Sequence, residues 1–362
     1  MLKAFGLEVV KARKINPIVQ ILLIIVAVLV AFLISGWFIS LTGGDPAEAF
    51  TVMFKGAFGN KRKILETLLR SAPLLLTALA TVITFRAQIW SIGQEGQLFS
   101  GAMFAYLLYR IFQPILHEGP LLLTVVVIGG FLGGALLGLL SGFMKAKFNV
   151  DIIISTVMLN YIVTTMLLFL LYDHKYWMGT TTYYPRTDPI VESSWYPILS
   201  TDSRLHMGFL IAVGLAIFIY WLLKRTPYGF DIRALGANPI ATKFKGIHIG
   251  RLIMVTMLFS GGLAGLAGAG EVFGVHHNLS MEISPGYGYT GIIIAMVAEL
   301  NPLICILVSV LFGGLINGST ILIAATGIHS SITFVIQALI LMSVLICRAL
   351  MKYRIRRIAH VG

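Results

Sequence analysis

The sequence predicts an all-α polytopic membrane protein with about ten transmembrane helices, some of them broken, in an inverted repeat with both termini cytoplasmic. Three observations predict it. Hydrophobic residues make up 57% of the chain, charged residues 12%, and the mean hydropathy is +0.90, whereas soluble domains hold roughly 45–50% apolar and 25% charged residues. Apolar segments near the ~20 residues needed to cross a hydrocarbon core recur from end to end. Between them Lys and Arg gather in particular loops, as expected of loops retained on the cytoplasmic side.

The predicted spans are 17–41, 72–85, 97–112, 121–143, 152–172, 207–223, 252–271, 284–299, 302–324 and 332–347. The first is longer than the roughly 7–15 residues of a signal-peptide core and no small-residue cleavage site follows, so it reads as a retained span. Lys3, Lys11, Arg13 and Lys14 precede it, and Arg348, Lys352, Arg354, Arg356 and Arg357 follow the last span, placing both ends in the cytoplasm. Lys224, Arg225, Arg233, Lys243, Lys245 and Arg251 place the segment after the sixth span on that side, opposed only by Asp231. The loop from Asp173 to Arg204 sets Lys175, Arg186 and Arg204 against Asp173, Asp188, Glu192 and Asp202, an exterior pattern. Lys61, Arg62 and Lys63 dissent, since they fall on the predicted exterior. This topology accounts for the net charge of +12, so no nucleic-acid partner is called for. Cys305 and Cys347 sit in or at the ends of apolar spans and read as small core residues.

Within the basic segment lies a polar island, Arg233-Ala-Leu-Gly-Ala-Asn-Pro-Ile-Ala-Thr-Lys-Phe-Lys-Gly246. Asn238 is an N-cap, Pro239 has its φ preset for a first helical turn, and Gly246 suits the left-handed residue that ends a helix. The helix between them spans only about 10 Å, too short to be stable alone in water. Ile240 and Phe244 lie four apart on one face, with Lys243 and Lys245 elsewhere, a pattern that fits a knob for a groove on another protein and a helix lying on lipid headgroups equally.

Polar residues inside spans are costly in lipid and face a cavity or another helix. They cluster at two breaks. One holds Gln88, Ser91, Gln94, Glu95 and Gln97 around Gly93 and Gly96, and the other runs from Glu271 through His276, His277 and Asn278 to Ser284 and Tyr287. Asn160 and Tyr161 add polarity to the fifth predicted span. Gln94, Glu95, Gln97, Asn160, Tyr161, Glu271, Ser284 and Tyr287 are the candidates for a translocation path, the competing reading being an interhelical hydrogen-bond network. For Glu95 that second reading is favoured, as a cap of the next helix or a partner of Arg86. His276 and His277 are adjacent, point in different directions and lack further ligands at metal spacing, so no metal is expected. Phe131-Leu-Gly-Gly-Ala-Leu-Leu-Gly is echoed by Leu311-Phe-Gly-Gly-Leu-Ile-Asn-Gly, a weak sign of internal repetition. No phosphate-binding G-x-x-x-x-G-K-[ST], H-E-x-x-H or G-x-S-x-G occurs, which leaves no nucleotide-hydrolysing or catalytic residues to assign.

Four motifs in order, Phe85-Arg-Ala-Gln-Ile-Trp-Ser-Ile-Gly-Gln-Glu-Gly-Gln97, Ile154-Ser-Thr-Val-Met-Leu-Asn-Tyr-Ile162, Arg233 through Gly246, and Ser284-Pro-Gly-Tyr-Gly288 followed by Asn301-Pro302, give the chain its kinship. It resembles permease subunits of type II bacterial ABC importers, the group shared by branched-chain amino acid, ribose and nucleoside systems, and nucleoside-type permeases above all. Gln88 and Trp90-Ser91 stand where relatives often have Gly and Phe-Asn. The resemblance implies one transmembrane permease domain over residues 1–362 in a multi-pass bacterial cell-membrane protein. It also implies that the helix at about 238–246 docks on a cytoplasmic ATPase through Gly236, Asn238, Pro239, Ile240, Lys243, Phe244 and Gly246. The implied partners are a second permease subunit in a heterodimer, the ATPase that holds the ATP, and an extracellular substrate-binding lipoprotein. Trp177, Tyr183, Tyr184, Trp195 and Tyr196 are a candidate landing surface for that lipoprotein or anchors at the membrane interface. The implied activity is import of nucleosides or purines by alternating access, with no cofactor on this chain. A sugar or branched-chain amino acid is the alternative cargo, and an ion-gradient-driven transporter using Glu95 or Glu271 is the alternative mechanism.

Overall fold

Thirteen helices succeed one another in chain order: α1 (Pro17–Leu41), α2 (Pro46–Phe58), α3 (Lys61–Arg86), α4 (Gln94–Leu116), α5 (Pro120–Phe148), α6 (Ile152–Tyr172), α7 (Gly208–Arg225), α8 (Pro227–Ala237), α9 (Pro239–Phe244), α10 (Ile249–Glu271), α11 (Tyr287–Val297), α12 (Pro302–Thr326) and α13 (Ile332–Lys352). They come from a computed structural model describing residues 7–11, 17–41, 43–116, 119–180, 183–199, 203–326 and 331–357. Each of the ten hydrophobic segments read from the sequence contains a helix. Seven described helices are long and apolar enough to cross a membrane, while α11 has only 11 residues.

The backbone divides into two units, Met1–Gly56 with Gly318–Gly362, and Ala57–Asn317. In the first, α1 packs along α13, and Ala27, Ala31, Ser35 and Ile39, four residues apart on α1, are all buried. Small residues at that spacing let backbones approach where lipid supplies no hydrophobic drive. The outer face of α1, with Leu22, Leu29 and Leu33, is exposed as expected of a lipid-facing surface. A short antiparallel ribbon, Leu7–Lys11 with Tyr353–Arg357, brings the two end segments together, a departure from all-α structure. Lys3, Arg13 and Lys14 of the N-terminal basic cluster, and Asp202 of the outer loop, lie outside the described residues.

In the second unit α3 runs through the middle, with 89% of its apolar window buried against protein. That placement explains its polarity. Ser71, Thr77, Thr81 and Thr84 are buried, and each hydroxyl donates to a carbonyl three or four residues back. The expected span 72–85 therefore begins eleven residues early, at Lys61. Asn60 caps this first turn, its Oδ1 accepting from Lys63 N at 2.9 Å, so the Lys61–Lys63 cluster that read as loop is the start of the helix.

α5 and α10 interlock through glycines. Gly130, Gly134, Gly138 and Gly142 on α5 face Ala269, Gly265, Gly261 and Met257 on α10 so closely that a Cβ at 134 or 138 would strike α10 backbone. The sequence echo on α12 is also a close approach, Gly313 meeting Thr67 and Ser71 of α3. At the opposite end from the 173–206 loop, α7 passes into α8 through Thr226, whose hydroxyl accepts from Gly229 N while Pro227 fills the first turn.

Candidate functional site

Between α3 and α4 the chain leaves helical geometry at Ala87 and resumes it at Gln94. Gln88 takes φ +58°, a left-handed conformation that glycine adopts freely. α6 holds this break open from the side. Ile92 N donates to Thr156 Oγ1 at 3.2 Å, Asn160 Nδ2 donates to Ile92 O at 2.8 Å, and Gly96 N donates to Asn160 Oδ1 at 2.9 Å. Thr156 and Asn160 are four apart and so share one face of α6. Together they satisfy backbone groups that a broken helix would leave orphaned in an apolar interior.

The second break, 277–286, ends at Gly286 with φ +91°. Glu95 sits there. Its Oε1 accepts from Ser284 Oγ at 2.7 Å and its Oε2 from Gly288 N at 2.6 Å, while Ser284 Oγ accepts from Tyr287 N at 3.0 Å. One buried carboxylate in the first turn of α4 thus caps the first turn of α11, where both helix dipoles favour negative charge. A Cβ at 288 would collide with the Glu95 backbone, so glycine is required there. The junction also touches α3: Thr77 Oγ1 donates to Tyr287 O at 3.0 Å and Arg70 Nη1 to Tyr287 Oη at 3.4 Å. Thr77 is about 24 Å along α3 from Lys61 and about 14 Å from Arg86. Helices α4 and α11 therefore both start in the interior of the unit. Arg86 does not pair with Glu95. Its Nε and Nη2 donate to the carbonyls of Leu300 and Glu299, at 3.1 and 3.4 Å, where the chain leaves α11 in two left-handed residues.

The remaining predicted path residues separate. Gln94 and Gln97 are buried on the first turn of α4, and both amide atoms of Gln94 and Oε1 of Gln97 have no partner among the described residues. Glu271 is buried at the end of α10, 3.4 Å from His276 Nδ1, beside a π-helical turn over 272–276. Tyr161 is 65% exposed on the outer face of α6, apart from the junction.

The 173–206 loop folds over the second break. Thr187 N donates to Leu279 O, Ile190 N to His277 O and Tyr196 N to Phe273 O, at 3.0, 2.8 and 3.1 Å. The loop's aromatic residues divide: Trp195 stacks on His277 at 3.6 Å and Tyr196 is buried, while Tyr183 and Tyr184 are exposed. Burial, with His277 nearby, holds the His206 imidazole down at about 4. Its Nδ1 accepts from Gly208 N at 3.1 Å, as only a neutral ring can. His277 is also lowered to about 4, by desolvation and by the charges of Arg204 and His276.

At the other end the polar island forms two capped helices. Asn238 Oδ1 accepts from Ile240 N and Ala241 N at 3.0 and 3.1 Å, Pro239 opens α9, and Gly246 has φ +85°. Thr242 turns inward; Lys243 is exposed, as are Ile240 at 70% and Phe244 at 89%. Gly236 lies against the Arg86 carbonyl, where a Cβ would not fit, so α8, from which α9 follows, sits against the end of α3.

Residues 63–345 match the family described as branched-chain amino acid transport system / permease component. The chain belongs to this family. The permease is 30% identical over 336 residues to the guanosine ABC transporter permease protein NupP of Bacillus subtilis (strain 168), covering 91% of this chain and 92% of that one. It is 28% identical to the nucleoside ABC transporter permease protein NupB of Lactococcus lactis subsp. cremoris, over 84% and 85% of the two chains. It is 26% identical to the glucose ABC transporter permease protein TsgB13 of Haloferax volcanii, over 91% and 88%. No solved structure is significantly similar to it. It is a multi-pass membrane protein.

Three residues of the permease's interior junction escape a reading of the sequence by type. Thr156 stands four before Asn160 in the same motif, a helical spacing that offered the signal. Gly288 looked like part of a turn, and Arg70 fell in what read as a loop before the second span. Only the true start of α3 places Arg70 inside the unit.

Proposed function

We propose that this permease is the membrane-spanning subunit of an ATP-driven importer of nucleosides or related purines. It would pair with a second permease, receive cargo from an extracellular lipoprotein, and be switched between outward and inward access by cytoplasmic ATPases. The observation that carries this reading is α9: a six-residue helix, capped at both ends, that presents Ile240 and Phe244 bare to solvent. Two apolar side chains so exposed on a helix too short to stand alone fit a groove on a partner protein. Ten spans, an inverted repeat and cytoplasmic ends belong to this reading; the meeting of the first turns of α4 and α11, and the ribbon joining the end segments, support it.

The path would run along the start of α4, where the unpartnered amides of Gln94 and Gln97 can take hydrogen bonds from water or from a polar cargo. Glu95 serves as a cap and an organiser of the junction, which speaks against its cycling as a proton carrier. The cargo rests on the guanosine and nucleoside permeases among the relatives, with the glucose permease keeping sugar as the second reading. Uptake of labelled guanosine by cells producing the whole transporter decides between them. Competition by unlabelled purine nucleosides, and none by glucose or leucine, is the expected result; competition by glucose alone would reassign the cargo.

A further inference from the structure

A cavity of about 440 Å³ opens where α3, α7 and α8 end or begin beside the first turn of α12. Its walls carry Arg86, Lys224, Arg225 and Arg233, with Tyr220 and Asn301, and no carboxylate. Asp231 and Glu66 are engaged elsewhere, 3.9 Å from Lys245 and 3.2 Å from Arg204, and Glu299, whose charge acts on Arg86, does not line the cavity. Two of the four cations are held in place: Arg86 donates to the Leu300 and Glu299 carbonyls, and Lys224 Nζ sits 2.6 Å from Tyr220 Oη. Four positive side chains around one void repel one another, and an anion would relieve that repulsion. Arginine forks in particular match the oxygens of a phosphate group.

The surroundings narrow the ligand. Helix α7 delivers Lys224 and Arg225 in its last turn and, one and two turns earlier, exposes Trp221, Phe218 and Ile217. Across the cavity α12 starts at Pro302 and exposes Leu303, Ile304 and Leu307. A polar cavity flanked by outward apolar helix faces suits a molecule with a phosphate at one end and hydrocarbon at the other. The geometry points to this cavity as a binding site for the phosphate headgroup of an anionic phospholipid in the leaflet on the α9 side. No part of the transport reaction is needed for this binding.

The test is native mass spectrometry of the full chain in detergent, titrated with phosphatidylglycerol, with phosphatidylcholine and with inorganic phosphate. One phosphatidylglycerol should bind per chain in preference to phosphatidylcholine. Arg225→Gln and Arg233→Gln should each weaken that binding about fivefold. Phosphatidylglycerol binding no tighter than phosphatidylcholine, or unchanged in both variants, would overturn the site. Displacement by inorganic phosphate at equal concentration would overturn the lipid and assign the cavity to a soluble anion. Thermal unfolding without added lipid checks that the variants fold; Arg225 is exposed at a helix end, so Arg225→Gln carries the test should Arg233→Gln misfold.

Discussion

Glu95 Oε2 accepts the amide of Gly288 at 2.6 Å across 193 residues of sequence, and that bond joins the first turns of two helices that begin in the interior of the protein. A carboxylate at this point satisfies donors that no other residue of α11 supplies with an acceptor.

Removing it should therefore cost stability before it changes anything else. Glu95→Ala leaves the Gly288 amide and the Ser284 hydroxyl without their acceptor, at a cost of about 2 kcal/mol or more. Glu95→Gln keeps one oxygen and should lose about half as much. Thermal unfolding in detergent ranks wild type above Gln and Gln above Ala; equal stabilities would mean the junction does not depend on the carboxylate.

Asn160 and Thr156 act on one residue, Ile92, so their losses should not add. Asn160→Ala orphans the Gly96 amide and the Ile92 carbonyl, about 2 kcal/mol, and Thr156→Val orphans the Ile92 amide, about 1 kcal/mol. In a double-mutant cycle the pair should couple by about 0.5 kcal/mol or more. Strict additivity would show that the two side chains do not hold the same segment.

Phe244→Asp should leave stability within about 0.5 kcal/mol of wild type, because the side chain has no packing to lose. Capture of the purified ATPase by the variant should fall at least tenfold, a change of about 1.4 kcal/mol. Retained capture would remove α9 from the docking surface.

The 173–206 loop should loosen in acid. His206 is held near 4 in the folded loop, against about 6.5 when unfolded, so between those values the unfolded loop binds the extra proton. Above pH 6.5 there is no effect; stability falls as pH drops from about 6.5 and levels off below about 4. Proteolysis of the 173–206 loop should accelerate over that window, and His206→Gln should reduce the dependence, His277, also lowered to about 4, keeping the remainder. A pH-independent rate in the wild-type protein contradicts the burial of a neutral ring.

The capped helix α9 was legible because its signals are local: Asn238, Pro239 and Gly246 each set the conformation of their own neighbourhood. The helix breaks were legible for the same reason, as Gly93, Gly96 and Pro285-Gly286 interrupt apolar runs. What the breaks touch was not. Glu95 finds Gly288, and Asn160 finds Ile92, through tertiary approach that no spacing encodes. Lys61, Arg62 and Lys63 hid the start of α3, because charge marks a loop only when a helix end is not itself the charged element. The cavity beneath Arg86 and Arg233 gathers residues that the sequence read only as a topology signal.

The central claim is that ATP hydrolysis by a partner drives transport through this chain. The direct measurement is uptake of labelled guanosine into proteoliposomes holding the permease, its second permease and the ATPase, with binding protein added outside, with and without ATP inside. Uptake that requires ATP and is lost with Phe244→Asp is the predicted result. Uptake that ignores ATP and follows a proton or sodium gradient would contradict the account.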